Sequence, residues 1–98
     1  MPLNRKLTPL IAGRTIKSAD QRDNVLSVSF TDDSVMKIKT AASGPIEILP
    51  DRTVKAVRQK GDVLNLDFDD NSTVEIKLAE PTSSVMLRDG QGTLEYAD

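Results

Sequence analysis

Cysteine, histidine and tryptophan do not occur in these 98 residues. Each absence removes a class of chemistry. Without cysteine there is no disulfide framework and no thiol nucleophile, and a reducing compartment suits the chain. Without histidine, the commonest metal ligand and the commonest general base near neutral pH are both missing. Only two phenylalanines and one tyrosine are present, so little aromatic surface exists for stacking on nucleobases. No apolar run approaches the roughly 20 residues that span a bilayer. The opening "MPLNRKLTPLIAGR" is shorter and more proline-broken than a secretory leader. A cytoplasmic protein without a membrane segment is the expectation. "NST" at Asn71 to Thr73 then reads as a hairpin turn, not as a glycosylation acceptor.

What is present is a soluble, globular composition: 38% hydrophobic, 29% charged, net charge −2. One domain over residues 1–98 is expected, large enough to hold a core without staples. The charge is unevenly spread. Residues 1–49 hold seven Lys/Arg against five Asp/Glu, and residues 50–98 hold six against ten. A basic half joined to an acidic half favours packing between the halves or between copies.

The stretch "SFTDDSVMKIK", Ser29 to Lys39, returns as "DFDDNSTVEIK", Asp67 to Lys77. Shifting the chain by 38 positions aligns Arg14–Ala41 with Arg52–Ala79 without a gap. Twelve of the 28 pairs are identical: Arg14/Arg52, Thr15/Thr53, Lys17/Lys55, Gln21/Gln59, Val25/Val63, Leu26/Leu64, Phe30/Phe68, Asp32/Asp70, Ser34/Ser72, Ile38/Ile76, Lys39/Lys77 and Ala41/Ala79. Two copies are too few for a solenoid and suit two halves of one domain. The copies run over about 13–50 and 51–89, with a C-terminal strand over 93–98.

Each copy alternates apolar and polar residues with period two, as a half-buried strand does. Leu26, Val28 and Phe30 alternate with Ser27 and Ser29; Leu64, Leu66 and Phe68 alternate with Asn65 and Asp67. Met36 and Ile38, then Val74, Ile76 and Leu78, continue the pattern. Asp32-Asp33 and Asp70-Asn71 provide the central pairs of tight hairpins. "RTIKSA" and "RTVKAV" supply the strand before. Each unit is thus a three-stranded meander, with "GPIEILP" (44–50) and "SSVMLRD" (83–89) as a fourth strand for the respective copies. "NRKLTPLIAG" allows one short helical turn before Gly13.

The predicted fold is all-β: two pseudo-symmetric antiparallel β-meanders packed as a sandwich or flattened barrel. One-sided sheets must bury their apolar faces, and two such sheets can bury against each other. The predicted core is Ile16, Leu26, Val28, Phe30, Met36, Ile38, Ile46, Ile48, Val54, Leu64, Leu66, Phe68, Val74, Ile76, Val85, Leu87, Leu94 and Tyr96.

The chemistry-bearing candidates are few. "DFDDNST" has the acidic spacing of a calcium loop but carries Ser72 and Leu78 where that motif needs glycine and glutamate. It reads as a hairpin tip. "GQG" at Gly90 to Gly92 lacks the helix and Lys-Ser/Thr of a phosphate loop. With no His or Cys, catalysis would rest on carboxylates or lysines, and those on turns lack the raised pKa that acid catalysis needs. Neither catalytic residues nor a metal or cofactor is expected. Two polar sets remain. Arg14, Lys17, Arg52 and Lys55, from the repeated "RT[IV]K", together with Lys37 and Lys39 on one outward face, could receive an anionic ligand or partner. Met86, with Arg88 and Tyr96 on the C-terminal hairpin, could meet a second copy. The expected function is a non-catalytic interaction or ligand-binding module that self-associates as a homodimer. Nucleic-acid or polyanion binding through the basic face of the first copy is the alternative, and a carboxylate- or lysine-based enzyme the least favoured.

Overall fold

The computed structural model describes residues 3–41, 48 and 50–97. One short helix, α1 (Thr8–Ile11), precedes eight strands: β1 (Ile16–Arg22), β2 (Val25–Phe30), β3 (Val35–Lys39), β4 (Val54–Lys60), β5 (Val63–Phe68), β6 (Thr73–Lys77), β7 (Val85–Arg88) and β8 (Leu94–Ala97). They form two antiparallel sheets, ordered β1-β2-β3-β7-β8 and β4-β5-β6. The sheets bury their apolar faces in one shared core, a sandwich-like arrangement.

The alternation read in the sequence becomes alternating burial. Leu26, Val28 and Phe30 on β2, and Leu64, Leu66 and Phe68 on β5, are almost wholly buried. Each large side chain so buried contributes about 1.5–3 kcal/mol of transfer free energy. Pairings recur at an offset of 38. Ile16 faces Phe30 as Val54 faces Phe68; Ala19 faces Val28 as Val57 faces Leu66; Leu26 faces Ile38 as Leu64 faces Ile76. Both first strands carry a bulge, between Ile16 and Ser18 and between Val54 and Ala56. Between the sheets the bonds are reciprocal. Ile16 N donates to Arg52 O at 2.8 Å, and Val54 N donates to Arg14 O at 2.9 Å. At the far end Ala41 N donates to Lys77 O at 3.0 Å, and Ala79 N donates to Lys39 O at 2.9 Å. Exchanging residues 14 and 52, or 39 and 77, turns one bond of each pair into the other.

The hairpin tips differ from the expected two-residue turns. Asp33 N donates to Phe30 O, Phe30 N donates to Ser34 O, and only Asp33 takes positive φ, 70°. Asn71 does the same with Phe68 and Ser72, at 68°. These are three-residue loops closed by a left-handed residue, a conformation Asp and Asn tolerate better than most.

The fourth strands depart from the expected plan. Residues 83–89 do not close the second meander. Instead β7 pairs with β3: Lys37 faces Met86 and Ile38 faces Val85. The cause lies in the crossing, because Ser84 O already accepts from Lys39 N at 2.7 Å. The chain leaving β6 therefore arrives beside β3. The other expected fourth strand, 44–50, lies outside the described residues except for Ile48, which is buried, and Pro50. Ile46 falls outside them too.

Other core differences have local causes. The bulge in β4 turns Val57 inward, where plain alternation had placed Ala56. Leu7 and Ile11, four residues apart on one helical face, are fully buried. Leu78 is buried as well, while Val74 and Tyr96 are half-buried. Leu94 is 48% exposed. A register shift in β8 sets it opposite Arg88, whereas Tyr96 faces Leu87. Residues 4–13 cover the outer edge of β4. Asn4 N donates to Val57 O, the Thr8 hydroxyl bonds both Val57 N and O at 3.0 Å, and Gly13 N donates to Val54 O. Such cover blunts an edge strand against chance pairing.

Candidate binding face

The registers fix which side chains share the outward face of the five-stranded sheet. One row runs Asp20, Ser27, Lys37, Met86, Ala97 across all five strands. The row above runs Arg22, Val25, Lys39, and the row below Ser18, Ser29, Val35, Arg88, Leu94. β7 thus brings Met86 beside Lys37 and Arg88 beside Val35. Residues proposed from the sequence for two different contacts, Lys37 and Lys39 on one hand and Met86 and Arg88 on the other, meet on a single surface. The signal missing from the sequence was the crossing of β7.

This surface is concave. A groove of about 510 Å³ is lined by Val25, Lys37, Lys39, Ser83, Ser84, Val85, Met86 and Ala97. A second hollow of about 200 Å³, lined by Val35, Lys37, Met86 and Arg88, shares Lys37 and Met86 with it. Apolar groups form the floor and two exposed ammonium groups stand over it. Lys37 and Lys39 have no ion pair among the described residues. Arg88 is bonded to its own hairpin, Nη1 donating to Gly92 O at 2.9 Å.

The other candidates are engaged internally. Arg14 Nη1 and Nη2 donate to the two carboxylate oxygens of Glu95 at 3.0 Å each, and its Nε lies 3.4 Å from Asp32. The hydrogen bonding to Glu95 is the main reason the guanidinium is held even more firmly protonated than usual. Arg52 repeats the contact with Asp70 at 3.4 Å, donates to the Ser72 hydroxyl, and sits 5.8 Å from the Phe68 ring centre. Thr15 and Thr53 bond each other through their hydroxyls at 2.9 Å. Lys17 and Lys55 are exposed at the two bulges, away from the groove. Tyr96 packs on the core, and its hydroxyl accepts from Asn4 Nδ2 at 3.2 Å.

The carboxylates of shifted acidity all move one way. Asp32 is held below the ordinary range chiefly by the Ser34 hydroxyl, and Asp70 likewise by Ser72. Asp67 is lowered first by Arg58, which donates to it through Nε at 2.7 Å and Nη2 at 2.8 Å, and then by the Thr73 hydroxyl. These groups are stabilised as anions, the reverse of what a general acid needs. Among the described residues no three His, Cys, Asp or Glu side chains converge as a metal set, and no helix is long and apolar enough to cross a membrane.

The fold and the face define a small two-sheet β protein with a cation-rimmed, apolar-floored outer groove. Comparison with protein-family models, with curated proteins and with solved structures finds no match.

Proposed function

We propose that the protein is a non-catalytic binding module whose contact surface is the outward face of the five-stranded sheet, and that its partner is an acidic protein. The observation that carries this reading is the pair Lys37 and Lys39. They stand without counter-ions over the apolar floor of Val25, Met86 and Ala97. Unpaired cations beside apolar area favour anions that bring an apolar body with them. A nucleic acid is less well matched. Phe30 and Phe68 are buried and Tyr96 packs inward, so bases find no aromatic platform.

The test is fluorescence anisotropy with labelled polyglutamate at low salt. Saturable binding that weakens with salt is expected, lost in Lys37→Glu/Lys39→Glu and kept in Lys77→Glu on the other sheet. Equal loss in both variants, or no binding at low salt, refutes the reading.

Self-association is a second reading, favoured by one feature. β8 is a four-residue edge strand whose Leu94 is 48% exposed. Edge strands accept a further strand, and an exposed leucine beside one adds apolar contact. Sedimentation equilibrium would then give a mass near twice 10.7 kDa, reverting to the monomer in Leu94→Lys.

A further inference from the structure

The groove has an order that narrows what it can hold. On the outward side β3 presents Val35, Lys37 and Lys39, each two residues apart. Cα atoms so placed are about 7 Å apart along a strand. Val35 is the apolar member of this row and lines the smaller hollow with Met86, Lys37 and Arg88. The two unpaired ammonium groups follow it along β3, and both line the larger groove. An extended peptide laid along β3 turns its own alternate side chains toward this row at the same spacing.

We infer that the groove binds an extended segment of its partner in which acidic side chains at alternate positions sit over Lys39 and Lys37, and an apolar side chain two positions further on enters the hollow of Val35 and Met86. The segment reads acidic-x-acidic-x-apolar, or the reverse if it runs the other way. The inference rests on the binding reading above and adds to it the conformation and the pattern of what is bound. Two alternatives fit the surface less well. A helix carries side chains three and four apart on one face, which places a third contact off the axis of β3. An isolated acyl-chain anion needs a more enclosed cavity than two open hollows on a sheet face. The other clusters are already filled: the tip carboxylates by serines and arginines, and Asp67 by Arg58 and Thr73.

The segment pattern is tested with two labelled peptides of identical composition, about eight residues or roughly 26 Å when extended. One alternates Glu with small polar residues and ends its downward row on Leu. The other groups the glutamates together and puts Leu among them. The alternating peptide is expected to bind about tenfold more tightly, a difference of about 1.4 kcal/mol. Val35→Ser, which alters the smaller hollow alone, is expected to erase that advantage while leaving polyglutamate binding unchanged. Equal affinities for both peptides, each lost in Lys37→Glu/Lys39→Glu, would overturn the extended-segment inference and leave the binding face standing. No binding of either peptide or of polyglutamate would remove both. A Val35→Ser protein that binds polyglutamate normally is folded, so loss of the alternating peptide's advantage reports on the hollow itself.

Discussion

The two meanders, β1-β2-β3 and β4-β5-β6, agree on their inward side and part on their outward side. Inward, Leu26 and Leu64, Phe30 and Phe68, Ile38 and Ile76 are the same residues in the same pairings. Outward, Ser29 stands where Asp67 does, and Lys37 where Glu75 does. The second face therefore carries carboxylates among its cations, and Asp67 closes a two-pronged pair with Arg58. The first face lacks both acids. It gains β7, which adds Met86 and Arg88 beside Lys37 and Val35. The comparison teaches that the two meanders share their buried inward residues, Leu26/Leu64, Phe30/Phe68 and Ile38/Ile76, while their outward faces differ in charge.

If burial is the shared property, equal truncations must cost both halves equally. Phe30→Ala and Phe68→Ala each empty a fully buried site, and each should destabilise by about 3–5 kcal/mol, read as a fall in the urea midpoint at constant slope. A cost confined to one of them would mean that the sheets do not share a single core. Next in size comes a gain of function. Asp67→Ser with Glu75→Lys gives the second face the outward residues of the first at these two positions. It should acquire salt-sensitive polyglutamate binding. With no strand equivalent to β7 beside β6 among the described residues, it should not prefer the alternating peptide.

The same contrast explains how far the sequence could be read. Period-two alternation in "VLSVSF" and "VLNLDF" is a direct imprint of one-sided burial, so strands, faces and most of the core were legible. The bulges were not, since the residues that shift phase, Lys17 and Lys55, are ordinary exposed lysines. That is why Val57 was missed. The shift in β8 likewise sent Leu94 outward against expectation. The path of β7 was the largest loss. Which edge a strand joins depends on the link before it, and here Ser84 is tied to Glu80, its hydroxyl accepting from Glu80 N at 3.1 Å and donating to Glu80 O at 2.8 Å. The sequence therefore showed Lys37 and Met86 as separate candidates, and only their juxtaposition makes a groove.

A smaller effect separates the two arginines that open the copies. Both contact an aspartate of the tip, but Arg14 also grips Glu95 on β8. Arg14→Gln should loosen the C-terminal hairpin, raising amide exchange over Leu94–Ala97, while Arg52→Gln should leave those amides protected. Equal exchange in the two variants would show that the Arg14–Glu95 pair does not hold β8.

The least of these effects concerns acid. Asp32, Asp67 and Asp70 are all held below the ordinary carboxylate range in the folded protein. Such a group binds fewer protons folded than unfolded, so its contribution is fully present above the unfolded value of about 3.9 and is lost as pH falls through the depressed folded value. Stability should accordingly change little on account of these groups between about pH 5 and 7 and decline below about pH 4. The comparison of the copies divides that decline. Asp32 and Asp70 occupy matched tips, so Asp32→Asn and Asp70→Asn should remove similar shares of the acid slope. Asp67 has only Ser29 opposite it in the alignment, and Asp67→Ser should remove a share that no single change in the first meander can match. Because the Arg58–Asp67 pair still reaches solvent, added salt should shrink the Asp67 share; a share that persists in high salt would mean the Thr73 hydroxyl, not the Arg58 charge, sustains it.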